Sequence, residues 1–206
     1  MPARRPPRLF LLSPAHAGGK RARLLLNDNA SFALAERLRA ADGVPLGEAF
    51  SFVSGLYFRG KVTYARRFAR PPAGRPGVYV ITASRGLVPE ETRVGPDDLR
   101  EFAGVDIHSG DPRYRAPLER DLAGLLAIRG AEIVLLGSIA TGKYVDVLLE
   151  MAAGRLLFPV EFVGRGDMSR GGLLLRAARA GTELEYAPVA GAVRRGPRPA
   201  KLGAMP

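Results

Sequence analysis

The stretch Ile133-Val134-Leu135-Leu136-Gly137-Ser138-Ile139-Ala140-Thr141-Gly142-Lys143-Tyr144 decides the fold. Four apolar residues, two of them β-branched, read as a fully buried strand. Gly137 ends it, and a helix is expected from about Lys143 to Met151. A strand with no polar alternation needs both faces covered, which is the habit of a parallel sheet between helices.

The same grammar repeats outward. Arg8 to Ser13 reads as a buried strand stopped at Ser13-Pro14, and Val78 to Thr82 as another. Leu156 to Val163, interrupted by Pro159, suits an edge strand, and Glu183 to Val189 a final one. Between them, helices are expected from a cap at Asn29 or Ser31 to about Asp42, with Gly43 as the stop. Others are expected from Pro45 onward with a break near Gly55, over Pro96 to Phe102, over Ala116 to Ile128, and over Leu173 to Ala180. Ala83 to Gly95 reads as a loop. The order predicts an α/β three-layer sandwich, a mostly parallel sheet of about five strands with helices on both faces. Residues 8–190 form one domain in this reading. Residues 1–7 are a flexible basic arm and 191–206 a flexible Pro/Arg tail.

In such sheets ligands gather at the carboxyl ends of the strands. Gly137 to Tyr144 lies there and nearly matches a P-loop, in which backbone N–H groups cradle phosphates and a lysine reaches the outer ones. Tyr144 stands where a small hydroxyl would hold magnesium, which argues against an NTPase. The milder expectation is an anion site formed by Gly137, Ser138, Gly142 and Lys143. Gly164-Arg165-Gly166-Asp167-Met168-Ser169-Arg170-Gly171-Gly172 reads as a second glycine-rich loop. Arg165 and Arg170 are anion forks there, and Asp167 is a candidate base. Ser13 to Arg23 is the third loop. It offers His16 for proton transfer and Lys20 and Arg21 as cations. His108, between Asp106 and Asp111, is a further acid–base candidate. Ser54 to Phe68 mixes aromatic and basic residues, as single-stranded nucleic-acid sites do and as an amphipathic core helix with a basic outer face also does.

The 206 residues carry a formal charge of +11. Residues 1–23 hold six basic groups and 186–206 hold four, with no acid in either stretch. The remainder is nearly neutral, at 21 basic against 20 acidic residues. Basic ends suit phosphate contact without sequence reading. Cysteine is absent, so disulfides, thiolate metal sites and a cysteine nucleophile are excluded. With two histidines, no metal site and no cofactor are expected. No apolar run approaches the roughly 20 residues of a membrane span. Leu9 to Leu12 is too short for a signal-peptide core, so no membrane partner and a cytoplasmic location are expected.

Four strings together carry a resemblance: Gly-Lys-Arg-Ala at 19–22, Ser-Gly-Leu-Tyr-Phe-Arg-Gly-Lys at 54–61, Gly137 to Tyr144, and Gly164 to Gly172. They resemble an uncharacterised bacterial α/β protein family of unknown activity, and the resemblance spans nearly the whole chain. Strand-then-Arg85-Gly86-Leu87 and the late glycine loop are also similar to α/β domains of the uracil-DNA-glycosylase-like group, although that group's activating-acid and later histidine motifs are not recognisable. This resemblance implies a fold and carries over no residue roles.

The sequence therefore points to binding or processing of a phosphate-bearing ligand, a nucleotide or nucleic acid. Lys20, Arg21, Gly137, Ser138, Gly142, Lys143, Arg165 and Arg170 are the ligand-binding candidates, and Asp167 and His16 the catalytic ones. As an enzyme it would be a metal-independent hydrolase or act as a glycosylase does. The alternative is a non-catalytic module docking on an acidic partner.

Overall fold

The computed structural model describes residues 5–200 and 202–203. Along the chain run β1 (Arg8–Leu12), α1 (Lys20–Leu25), α2 (Ala33–Arg39), β2 (Val44–Pro45), α3 (Leu46–Ser54) and α4 (Leu56–Phe68). They are followed by β3 (Val78–Ile81), β4 (Leu87–Pro89), β5 (Arg93–Val94), α5 (Pro96–Ala103), α6 (Pro112–Leu126) and β6 (Glu132–Leu136). The chain closes with α7 (Gly142–Ala152), β7 (Leu156–Pro159), α8 (Asp167–Ala180) and β8 (Tyr186–Pro188).

The main sheet has the order β4-β3-β1-β6-β7-β8. β3, β1, β6 and β7 are parallel, while β4 and β8 pair antiparallel at the two edges. The fold is the expected α/β sandwich. Leu9 to Leu12 and Ile133 to Leu136 are fully buried, as strands covered on both faces must be. α4 packs on α8 and on β1, and α6 packs on α7.

Several expectations are corrected. The sheet has six strands rather than about five, because Ala83 to Gly95 is not a loop throughout. Gly86, at φ 69°, turns the chain back so that Leu87–Pro89 pairs with β3. Thr82 holds that turn, its N–H and hydroxyl both donating to Gly86 O at 2.9 and 3.0 Å. β5 pairs with β2 in a separate two-stranded sheet. β7 is not an edge strand, since β8 covers it. Pro159 is its last residue, where a missing N–H is tolerated.

α2 starts at Ala33, not at a cap on Asn29 or Ser31. The Asn27 side chain accepts from Asn29 N–H at 2.9 Å and holds that stretch in a turn instead. α6 begins earlier than Ala116, because Asp111 accepts from Arg113 N–H at 2.9 Å as a cap and Pro112 opens the helix. α3 and α4 separate at Gly55, at φ 64°.

The largest correction concerns Gly164 to Gly172. From Asp167 onward it is helix, not loop. One of its glycines, Gly171, serves a close crossing of α4 and α8 together with Gly60 of α4. A Cβ on Gly171 would sit 2.8 Å from Leu56 O, and one on Gly60 would sit 2.7 Å from Gly171 O. Along 191–200, Arg194 pairs with Asp146 at 3.1 Å, and Arg165 reaches Ala200 O at 3.3 Å.

Candidate functional site

The connection from β1 leads to β3 on one side, and the connection from β6 leads to β7 on the other. The sheet reverses between β1 and β6, which opens a crevice beyond their carboxyl ends. The first residues past those ends are Ser13 and Gly137. They touch: a Cβ on Gly137 would lie 2.8 Å from Ser13 Cβ and 2.9 Å from the Tyr144 hydroxyl. Glycine is therefore required there by space, without a positive φ.

α4 delivers a lysine to the same point. Lys61 is 1% exposed. Its Nζ donates to Ser13 O at 2.6 Å and to Ser13 Oγ at 2.9 Å. The ammonium also lies 4.6 Å from the centre of the Tyr57 ring and 4.4 Å from that of Phe58. Burial brings it down to about 7, with the Asp167 charge opposing that fall and Arg170 adding to it. Among the described residues no carboxylate bonds to it. The Tyr57 hydroxyl is buried, and burial raises its pKa against the lowering influence of Arg170.

Two adjoining cavities occupy the crevice, of about 400 and 300 Å³. Pro14, Ala15, His16, Ile107 and Lys143 line both. Asp106 and His108 close the larger one, where His108 Nδ1 accepts from Gly110 N–H at 3.1 Å. Ser13, Ser54, Tyr57, Lys61, Ser138, Tyr144 and Asp167 line the smaller. The combined space suits a small ligand with a few convergent polar groups.

α7 begins at this crevice with Gly142. Thr141 precedes it and makes no side-chain cap, so the first-turn N–H groups are not taken by that side chain. Tyr144 is mostly buried and donates to Ser138 O at 2.9 Å, and burial raises its pKa. Its hydroxyl locks the loop onto the helix and is not directed to a metal. Arg170 lies behind the smaller cavity. Its Nε and Nη2 donate to Phe162 O at 3.2 and 3.1 Å, and Nη1 reaches Asp167 at 3.4 Å.

The sequence candidates thus divide. His16, Ser138, Lys143 and Asp167 line the crevice, Gly137 forms its floor, and Gly142 opens its helix. Arg170 anchors Asp167 and Phe162 from behind. Lys20 and Arg21 lie on α1 outside both cavities, where Arg21 donates to Phe52 O at 3.3 Å. Arg165 faces a separate cavity beside the tail. Lys20, Lys143 and Arg165 therefore do not converge. Lys61, Ser13 and Tyr57 are absent from the sequence-based candidates. A signal for Lys61 existed: it sits four residues after Tyr57 and three before Tyr64, on the apolar stripe of its helix.

Compared with family models, curated proteins and solved structures, the chain has no significant match. Among the described residues, no helix is long and apolar enough to cross a membrane. No cluster of three His, Cys, Asp or Glu side chains among them could hold a metal ion.

Proposed function

We propose that the crevice between β1 and β6 binds a phosphate-bearing ligand, a nucleotide either free or as a unit of nucleic acid. The observation that carries this reading is Lys143, which lines both cavities at the start of α7 and pairs with no carboxylate among the described residues. A cation beside a helix start suits an anionic group. Lys61 adds a second cation deeper in the crevice, and a bound phosphate would hold it in its charged form. His16 and Asp167 line the smaller cavity, and this reading gives them proton transfer. Arg170 keeps the Asp167 carboxylate in position.

The test is calorimetric titration with nucleoside mono-, di- and triphosphates. Lys143→Ala should weaken the best of them by about 1–3 kcal/mol, roughly 5- to 150-fold, the worth of a charged hydrogen bond. The melting temperature should stay the same, since Lys143 pairs with no carboxylate among the described residues. If no nucleotide binds, or if Lys143→Ala binds equally well, this reading fails.

A further inference from the structure

The near-neutral body of the chain is not neutral on every side. α4 contains four basic residues and no acid. One of them, Lys61, is buried, and the exposed stripe of that helix is Arg59, Thr63, Arg66 and Arg67. α8 packs along it and carries Arg170, Arg176 and Arg179 against a single acid, Asp167, which is turned to Arg170. The solvent side of the pair therefore presents guanidinium groups.

Two cavities follow this side of α8. One of about 720 Å³ is lined by Arg59, Arg66, Arg67 and Arg179 with Thr63, Leu175 and Ala178. The other, of about 380 Å³, lies toward the start of α8 and takes in Arg165, Arg176 and Arg198. No Asp or Glu lines either one among the described residues. Elsewhere the fold matches arginine to carboxylate repeatedly, as in Arg37–Glu48, Arg85–Asp98 and Arg113–Asp111. On this side Arg66 pairs with Glu90 at 2.6 Å, whereas Arg59, Arg67, Arg165, Arg176 and Arg198 pair with no carboxylate among the described residues. The tail supplies Arg198 to the second cavity, and Arg176 donates to Gly203 O.

We infer that the α4–α8 face, extended by the tail, is a track for the phosphate backbone of a nucleic-acid strand. Guanidinium forks match phosphate oxygens in pairs, and among the described residues the cations that line the two cavities are all arginine. α8 spans about 20 Å at 1.5 Å per residue, room for several consecutive phosphates. No exposed aromatic ring lines either cavity, so the contact is to backbone rather than to stacked bases. This inference does not rest on the crevice, since Lys143, Lys61 and His16 line neither of these two cavities.

The experiment is fluorescence anisotropy of the full chain with a labelled single-stranded 12-mer, from 50 to 300 mM KCl. Each lost phosphate contact should flatten the slope of log K against log salt by about 0.7. Arg59→Gln/Arg67→Gln should therefore lower the slope by about 1.4 and weaken binding at 0.1 M by about 25-fold. Arg198→Gln should lower it by about 0.7, and Arg37→Gln, whose charge is matched by Glu48 outside either cavity, should leave it unchanged. Circular dichroism on the variants checks the fold. Absence of binding overturns the inference, as does a slope unaltered in the folded double variant. So does binding to phosphatidylserine vesicles, lost in the double variant, without binding to the oligonucleotide. A flattened slope in Arg59→Gln/Arg67→Gln supports the track even where no free nucleotide binds the crevice, so failure of one reading is distinguishable from failure of the other.

Discussion

At the amino ends of the strands, Arg8 and Arg70 meet Glu132 and Glu183. Arg8 Nε donates to Glu132 at 2.7 Å and its Nη1 bonds Glu183, while Arg70 reaches Glu183 at 3.4 Å and Glu132 at 3.7 Å. Arg8 also covers the Tyr186 ring at 4.7 Å. At the carboxyl ends, Lys61 is more deeply buried than Arg8 yet bonds only to Ser13. One end closes its charges within the chain. The other bears the desolvation of a cation with no carboxylate bonded to it. Uncompensated buried charge is costly, and folds keep it where a ligand or a reaction uses it. The difference supports the proposal of a ligand site at the carboxyl end without appeal to any motif.

The contrast predicts opposite responses to removing a cation. Arg8→Met leaves two carboxylates short of a partner, and stability should fall by about 3 kcal/mol in a denaturant titration. Nucleotide affinity should stay within about twofold of the wild type. A loss of affinity as large as that of Lys143→Ala would break the separation between the two ends.

Gly171→Ala tests the crossing that brings both helices to the crevice. Its methyl group would press on Leu56 O, so the helices must part, at about 2 kcal/mol. Because α4 carries Lys61 and α8 carries Asp167, nucleotide binding should fall with stability. A variant as stable as wild type would show that the close approach is not needed.

The smallest effect at neutral pH is expected of Lys61→Met. It removes a buried cation and keeps an apolar chain of similar length, so stability at pH 7 should drop by less than about 1 kcal/mol or rise. The pH dependence should change more. The unfolded lysine holds its proton up to its ordinary value of 10.5, whereas the buried one releases it at about 7. Between those values the unfolded chain binds more protons, so wild-type stability should climb from pH 7 toward pH 10. Above that, unfolded tyrosines ionise while Tyr64 is held up to about 12, and stability should turn down. Thermal melts across pH 6.5–9.5 should show the climb in wild type and a flatter profile in Lys61→Met. Identical slopes would remove Lys61 from the argument.

Long apolar runs made the parallel core legible in the sequence. Leu9 to Leu12, Val78 to Ile81 and Ile133 to Leu136 could not alternate, so the layers followed. β4 was hidden because three residues carry no periodicity, and its existence depends on the Thr82–Gly86 turn. The start of α8 was hidden because Gly171 and Gly172 look like a loop until α4 is laid against them. Within the site, Gly137 and Ser138 past β6 and His16 in the loop after β1 are legible from strand ends alone, whereas Ser13 is not. Lys20 and Arg165 were grouped with them by charge, which says nothing of direction in space. Lys61 is not legible as a site residue in the sequence, because the basic residues of its helix read as one outer face, and the packing places this lysine on the inner one.

The two margins of the main sheet share a design. β4 and β8 have three residues each, run against their neighbours, and end in Pro89 and Pro188. The interior they enclose is the Val-, Ile- and Leu-rich kind of β-structure that grows readily when another strand can add to it. A short, reversed border ending in a residue without an N–H gives an incoming strand little to pair with. The edges thereby guard against aggregation, and lengthening either one by replacing its proline would expose the sheet to addition of further copies.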